Sequence, residues 1–317
     1  MPSAFPVKPL RVGVVGVGYL GRFHARIYAD MPDVELVGVA DVDAQRARGI
    51  AEQHGCRAYT DARDLIDRID AVSIVVPTIR HVDVARPFLE RGVHMLIEKP
   101  IAPTTAAAEA LVEAADRAGV IFQVGHLERF NAGIMELAAR VKQPRFLEVH
   151  RLGEFVDRAT DVDVVTDLMI HDIDIVMSLV RSGIRNIAAD GIPVITDQVD
   201  IANARIEFEN GAVANVTASR VSNKKLRRIR IFGREHYYGL DYIGQKIEIV
   251  RAVPDASGGK WPKIVTEMLD VTPHPPLDAE IAHFVRCVRT GETPLVNGRV
   301  GLEALRVAQL VREKISR

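Results

Sequence analysis

Over the first 124 residues, short apolar runs alternate with stretches whose apolar positions recur every three or four residues. Residues 10–17, 34–40, 71–76, 93–97 and 120–124 read as strands. Residues 19–30, 43–54, 81–91 and 105–118 read as helices between them. Gly55, Gly92 and Gly119 follow three of these helices, and Thr104 or Thr105 is placed to cap the last. Apolar strands separated by helices indicate parallel strands buried on both faces. Right-handed crossovers then give a doubly wound sheet. After Gly125 the rhythm changes. Residues 146–152, 201–208, 212–219, 227–232 and 246–252 alternate as half-buried strands, and Glu209-Asn210-Gly211 reads as a hairpin turn. Residues 166–180, 277–290 and 301–315 are helical. The fold class is therefore α/β: a Rossmann-type parallel sheet in residues 1–124, then an α+β domain in residues 125–317 with a mostly antiparallel, open-faced sheet. An open-faced sheet of this kind finds a second copy of the chain; a dimer or tetramer is expected.

Composition narrows the possibilities. The 317 residues are 48% hydrophobic and 26% charged, as in ordinary globular chains. The formal net charge of −1 gives no global attraction to nucleic acid or to an anionic membrane. The longest runs without a charged residue are ten long, such as residues 12–21, against the about 20 needed to span a bilayer. No signal peptide is expected in residues 1–9. Two cysteines, Cys56 and Cys287, form no metal-type cluster and no disulfide framework. A reduced, cytoplasmic setting follows.

The chemistry begins at Gly16-Val17-Gly18-Tyr19-Leu20-Gly21, a G-x-G-x-x-G between a strand and a helix. Gly16 permits the tight turn, Gly18 lets backbone approach a pyrophosphate, and Gly21 allows close packing. The helix N-terminus stabilises the anion. Asp41 lies 20 residues after Gly21, at the end of the second strand, where a ribose hydroxyl needs an acceptor. A carboxylate repels a 2′-phosphate, and position 42 is Val rather than Arg. NAD is favoured over NADP, with Arg46 able to swing towards the same pocket. Glu98-Lys99-Pro100 ends the next strand but one, at the carboxyl edge of the sheet where ligands bind.

With Pro77 after the third strand, His81 beyond it, Glu98-Lys99-Pro100, and Asp167-x-x-x-His171 on a later helix, the chain resembles the glucose–fructose oxidoreductase / inositol dehydrogenase / rhizopine catabolism (Gfo/Idh/MocA) family over nearly its whole length. The resemblance implies an NAD(P)-dependent oxidoreductase acting on a ring hydroxyl of a sugar or cyclitol, without a metal. It implies Lys99 as the active-site lysine, with Asp167 and His171 as its partners. Tyr19, Leu20, Pro77, His81 and Glu98 join Gly16, Gly18, Gly21 and Asp41 in the cofactor site. Asp167, His171 and Asp174 fall at i, i+4 and i+7, one face of a helix, with Leu168, Ile173, Val176 and Leu179 on the other. His171 is the natural base, Asp167 either sets its orientation or holds a neighbouring hydroxyl, and Asp172 points elsewhere to cap or pair.

For substrate, residues 125–131 supply His126, Arg129 and Asn131, and a polar loop supplies Arg158. Asp174 completes the set. Arg151, Arg220 and the basic run 224–230 offer further positive charge for an anionic substrate. That run reads first as a solvated edge strand and second as a diphosphate or partner contact. Residues 125–131 and 161–174 look like the branch of sugar-nucleotide 3-dehydrogenases that oxidise UDP-N-acetylglucosamine ahead of an aminotransferase in lipid A biosynthesis. An inositol or free-sugar dehydrogenase is the near alternative. A non-catalytic NAD(P)-binding sensor is the distant one, since such proteins tend to lose the lysine or the histidine.

Overall fold

The computed structural model describes residues 8–156, 162–234, 236–255, 257 and 260–315. Backbone contacts divide the chain into two compact units. One comprises the residues up to His126 together with Leu277–Glu303; the other comprises Leu127–Pro276 and the residues from Ala304 onward.

The first unit is built on a six-stranded parallel sheet of order β3-β2-β1-β4-β5-β6. Its strands are β1 (Leu10–Val15), β2 (Val34–Ala40), β3 (Arg57–Tyr59), β4 (Ala71–Ile74), β5 (His94–Glu98) and β6 (Phe122–Gly125). Helices α1 (Gly21–Asp30), α2 (Ala44–His54), α3 (His81–Glu90) and α4 (Thr105–Ala118) connect them. The central strands are buried on both faces, which is why they read as unbroken apolar runs. Local signals set the ends. Asp43 caps α2 by accepting from Gln45 and Arg46 N–H, and Gly55 closes it in the left-handed region. Thr104 caps α4 and Gly119 ends it in the same way. The short strand β3 was not legible: three residues, two of them exposed, carry no period.

The C-terminal return was also not legible. Helix α7 (Pro276–Thr290) buries Ile281, Phe284 and Val285 in one cluster with Val12, Val14, Val39 and Tyr28. It therefore completes the core of the first unit, although the sequence placed it with the second domain. Amphipathic spacing shows that a helix has a buried face but not which core receives it.

The second unit is built on an eight-stranded sheet of order β14-β13-β12-β11-β7-β10-β9-β8. Its strands are β7 (Phe146–Leu152), β8 (Ile184–Ile192), β9 (Ile201–Phe208), β10 (Val213–Ser219), β11 (Leu226–Phe232), β12 (His236–Asp241), β13 (Lys246–Val253) and β14 (Lys263–Asp270). Pairing is antiparallel except between β7 and β10. One face packs on α6 (Ile170–Val180), with Ile173, Val176, Val149, Ile206 and Val216 in a common core. Helix α5 (Ala132–Arg140) and part of α8 (Gly298–Ile315) join it. Sequence reading missed α5, β8, β12 and β14. Strand β8 is interrupted by a register shift, β12 contains Gly239, and β14 is exposed along nearly its whole length, so none shows clean alternation.

The basic run needs correction. Strand β11 is interior, not an edge, between β12 and β7. Its charges are neutralised across strands: Arg230 meets Glu148, its direct register partner, at 2.8 Å, and Arg228 stands 4.0 Å from Glu248. Cross-strand pairing lets a charged strand sit mid-sheet.

Candidate active site

The first unit gathers the residues expected to hold the cofactor at the carboxyl ends of its strands. Gly16 has φ +85°, and a Cβ there would lie 2.4 Å from the Val75 carbonyl oxygen. A Cβ on Gly21 would lie 1.8 Å from the Gly16 carbonyl oxygen. Both glycines are thus required by the turn itself. Around Gly18 nothing lies within 4 Å of such an atom, so this position is open for backbone to meet a ligand. Leu20, the N-cap of α1, supplies no side-chain cap, so a diphosphate would meet the positive end of the helix there without displacing one. Tyr19 is exposed on the loop, with the Arg22 guanidinium 5.0 Å from its ring centroid.

Asp41 is buried and tied to that turn. It accepts from Val17 N–H and from Asp43 N–H, each at 2.9 Å. Arg46 has indeed swung towards it, at 3.2 and 3.3 Å from the two carboxylate oxygens. Those residues fit a dinucleotide: a glycine cradle, an uncapped helix start and an acceptor at the second strand.

Pro77 is exposed at the end of β4, where it opens a short 3₁₀ turn. His81 is fully buried, its ring spanning the carbonyls of Val76 (3.0 Å) and Ile101 (3.3 Å). Burial is the larger effect and lowers its pKa, against the pull of the two carbonyls. Lys99 is half-buried at the end of β5, and the Lys99–Pro100 peptide is cis. His126 is fully buried just beyond β6.

Behind Lys99 lies a polar cluster that sequence reading missed. Tyr28 and His24 of α1 both meet the Ser73 hydroxyl, at 2.8 and 3.2 Å. His24 Nε2 is 3.4 Å from Glu98 Oε1. The Glu98 carboxyl occupies the space a Cβ on Gly125 would need. Glu280 of α7 is fully buried, and burial, with Glu98 adding to it, pushes its carboxyl well above the usual range. Burial likewise raises the Tyr28 phenol. The residues come from four separated segments, so no local spacing marks them. A glutamate inside the apolar pattern of α7 was the one available signal.

In the second unit, the stretch read as one helix is two elements: a π turn at Val165–Met169, then α6. Asp167 lies on the π turn and is half-buried. His171 and Asp174 lie on α6 and are buried, as is Asp172. An i, i+4, i+7 spacing shares one face only of a continuous α-helix; the π turn changes the phase between Asp167 and the other two. Helix α6 is also buried nearly all round, so it carries no exposed polar stripe.

Arg129 donates to Asp174 at 3.2 Å. Asn131 caps α5, accepting from Gly133 and Ile134 N–H and from the Gln245 amide. Its oxygen is therefore committed to the fold. Asp172 pairs, as expected, with Arg151. Arg151 and Arg220 carry no spare charge for an anion: Arg220 meets Asp200 at 2.7 Å. Arg158 lies outside the described residues. Among the described residues, no three His, Cys, Asp or Glu side chains are grouped to hold a metal ion, and no helix is long and apolar enough to cross a membrane.

A glycine-turn Rossmann sheet with an acidic second-strand terminus, joined to a large sheet-and-helix unit, defines an NAD-binding oxidoreductase. The profile of the oxidoreductase family with NAD-binding Rossmann fold matches residues 10–126, and that of the GFO/IDH/MocA C-terminal domain matches residues 133–238. The chain belongs to the GFO/IDH/MocA family. It is 38% identical over 304 residues, 96% of each chain, to UDP-N-acetylglucosamine 3-dehydrogenase of Acidithiobacillus ferrooxidans. A solved structure of that protein superposes with a TM-score of 0.90 at 36% identity, over 97% of this chain and 98% of that one. The scyllo-inositol 2-dehydrogenase (NAD(+)) of Bacillus subtilis is 29% identical over 90% of this chain and 88% of its own.

Proposed function

We propose that this chain oxidises the 3-hydroxyl of a nucleotide sugar, UDP-N-acetylglucosamine, to the 3-ketone with NAD⁺. The observation that carries the substrate is the 38% identity, spread over 96% of both chains, to a 3-dehydrogenase of that sugar. NAD, when bound, supplies the hydride acceptor. Lys99 and His171 are assigned the hydroxyl proton, Lys99 stabilising the developing alkoxide and His171 taking the proton as base. Asp167 is assigned either to orient His171 or to hold a neighbouring substrate hydroxyl. Arg129, His126, Arg158 and Asp174 are assigned to the substrate, with Asn131, its oxygen held in the α5 cap, assigned through its amide nitrogen alone.

Placement in the cytoplasm rests on two cysteines that form no disulfide. The eight-stranded sheet and its exposed terminal strand support a homodimer or homotetramer, and a monomeric mass in light scattering would remove that expectation. A part in lipid A biosynthesis follows if the ketone is consumed by an aminotransferase.

The inositol relative supplies the alternative, so the deciding experiment is a substrate panel. Protein with NAD⁺ is offered UDP-N-acetylglucosamine, UDP-glucose, N-acetylglucosamine and myo-inositol, with an aminotransferase and amino donor present to draw off ketone. NADH formation with the UDP sugars alone is expected. NADH with inositol or free sugar alone would overturn the nucleotide-sugar assignment. Tight NAD binding with no turnover on any of them would point to a sensor.

A further inference from the structure

Directly after His171, two aspartates of α6 are each held by a guanidinium. Arg151 on β7 grips Asp172 with both arms of its fork, Nε to Oδ2 at 2.7 Å and Nη2 to Oδ1 at 2.9 Å. Its remaining arm, Nη1, reaches Glu128 Oε1 at 2.7 Å. Arg227 on β11 meets the same oxygen at 3.3 Å. One residue on from Glu128, Arg129 holds Asp174. Arg151, Asp172 and Glu128 are all buried, and the Tyr242 ring lies 5.7 Å from the Arg151 guanidinium carbon. Burial works against charge on Arg151, but Asp172 and Glu128 outweigh it and raise its pKa above the ordinary value.

A buried charge network of this kind is a poor way to gain stability, because apolar residues of similar volume fill such a space as well or better. What it provides is direction. A bidentate fork fixes the planes and angles of both partners. Asp172 is the next residue after His171, about 100° further around the helix. Fixing the azimuth of Asp172 from β7 therefore fixes that of His171. The need for an outside reference is also visible: the turn that leads into α6 is a π turn, so a regular α-helical ladder does not carry the phase across from Asp167.

We propose that Arg151, with Asp172 and Glu128, is a positioning network that sets the rotation of α6 and so the aim of the His171 imidazole. Its catalytic consequence rests on His171 being the base; its geometric content does not. Arg151 and Asp172 touch no reacting atom in this scheme.

The test compares Arg151→Met, Arg151→Lys and the double variant Arg151→Met/Asp172→Leu with the parent protein. Melting temperature, kcat and KM with NAD⁺ and UDP-N-acetylglucosamine, and the NMR resonances of the His171 ring are read for each. The single Arg151→Met leaves Asp172 as an uncompensated buried charge and is expected to lose melting temperature and kcat together. The double variant removes both charges and leaves Glu128 its contact with Arg227. It is expected to regain the parent melting temperature while kcat stays down by roughly ten- to a hundredfold, with shifted His171 resonances and little change in KM for NAD⁺. Recovery of kcat together with melting temperature, or unchanged His171 resonances, would overturn the proposal and leave the network a purely structural one. If the double variant does not fold, Arg151→Lys decides: it keeps the charge and loses the fork, and a parent-like kcat with unmoved resonances would overturn the proposal. His171→Gln, measured beside them, separates the two ideas. Full activity in that variant would remove His171 as base, while the ring resonances still judge the positioning role.

Discussion

Among the described residues, neither carboxyl oxygen of Glu280 meets a hydrogen-bond partner, and the side chain is shut away beside Glu98. Burial, with Glu98 adding to it, raises its pKa well above the ordinary value of 4.5. Below that value folded and unfolded states both hold the proton. Above it the unfolded state releases the proton more readily than the folded state, so stability falls as pH rises towards the raised folded value. Glu280→Gln keeps the shape and removes the titration. Its melting temperature is expected to exceed that of the parent at neutral and alkaline pH and to depend less on pH; parallel melting curves for the two proteins would refute this. Lys99 is the residue proposed above to act on the substrate hydroxyl. Lys99→Met is expected to cut turnover at least about a hundredfold with NAD binding retained in a fluorescence titration. Near-parent turnover would take Lys99 out of the mechanism.

At the scale of elements, the glycine turn separates what the backbone needs from what the ligand needs. Gly16→Ala drives a Cβ into the Val75 carbonyl at a positive φ. It should destabilise the first unit by more than about 1 kcal/mol and abolish NAD binding. Gly18→Ala meets nothing, so it should melt with the parent and yet bind NAD more weakly. Calorimetry and a binding titration on the pair make the check. Unchanged affinity in Gly18→Ala would show that the cofactor does not approach there. The sequence also carried helix ends: Thr104, Gly55 and Gly119 act where they were expected, because capping depends on residues within one turn. It misjudged β11, whose cross-strand glutamates lie about eighty residues upstream in Glu148 and about twenty downstream in Glu248.

At the scale of the molecule, the return of α7 gives the first unit a discontinuous sequence. Ile281, Phe284 and Val285 are each almost fully buried in its core. Their loss costs about 1.5–3 kcal/mol apiece, comparable in sum with the whole stability of a domain. A fragment ending at residue 126 is therefore expected not to fold or bind NAD. The same fragment fused to residues 277–303 is expected to regain a cooperative melt. Equal melting behaviour of the two fragments would show that α7 is dispensable to that core.

The sequence by itself determined what depends on neighbours a few residues away. The alternation of strands and helices, the glycine turn with Asp41, the helix caps, and the placing of Lys99 at a strand end are all of that kind. Periodicity and capping are local physics, and a parallel strand buried on both faces announces itself by being apolar throughout. Tertiary structure alone decided which core receives α7, that β11 is interior, that a π turn breaks the line from Asp167 to His171, and that Arg151 and Arg220 are already neutralised. It alone assembled His24, Tyr28, Ser73, Glu98 and Glu280 into one buried cluster. Each of these rests on a contact between residues far apart along the chain. A buried polar group must be satisfied or neutralised where it lies in space, and no local pattern records which distant residue does so.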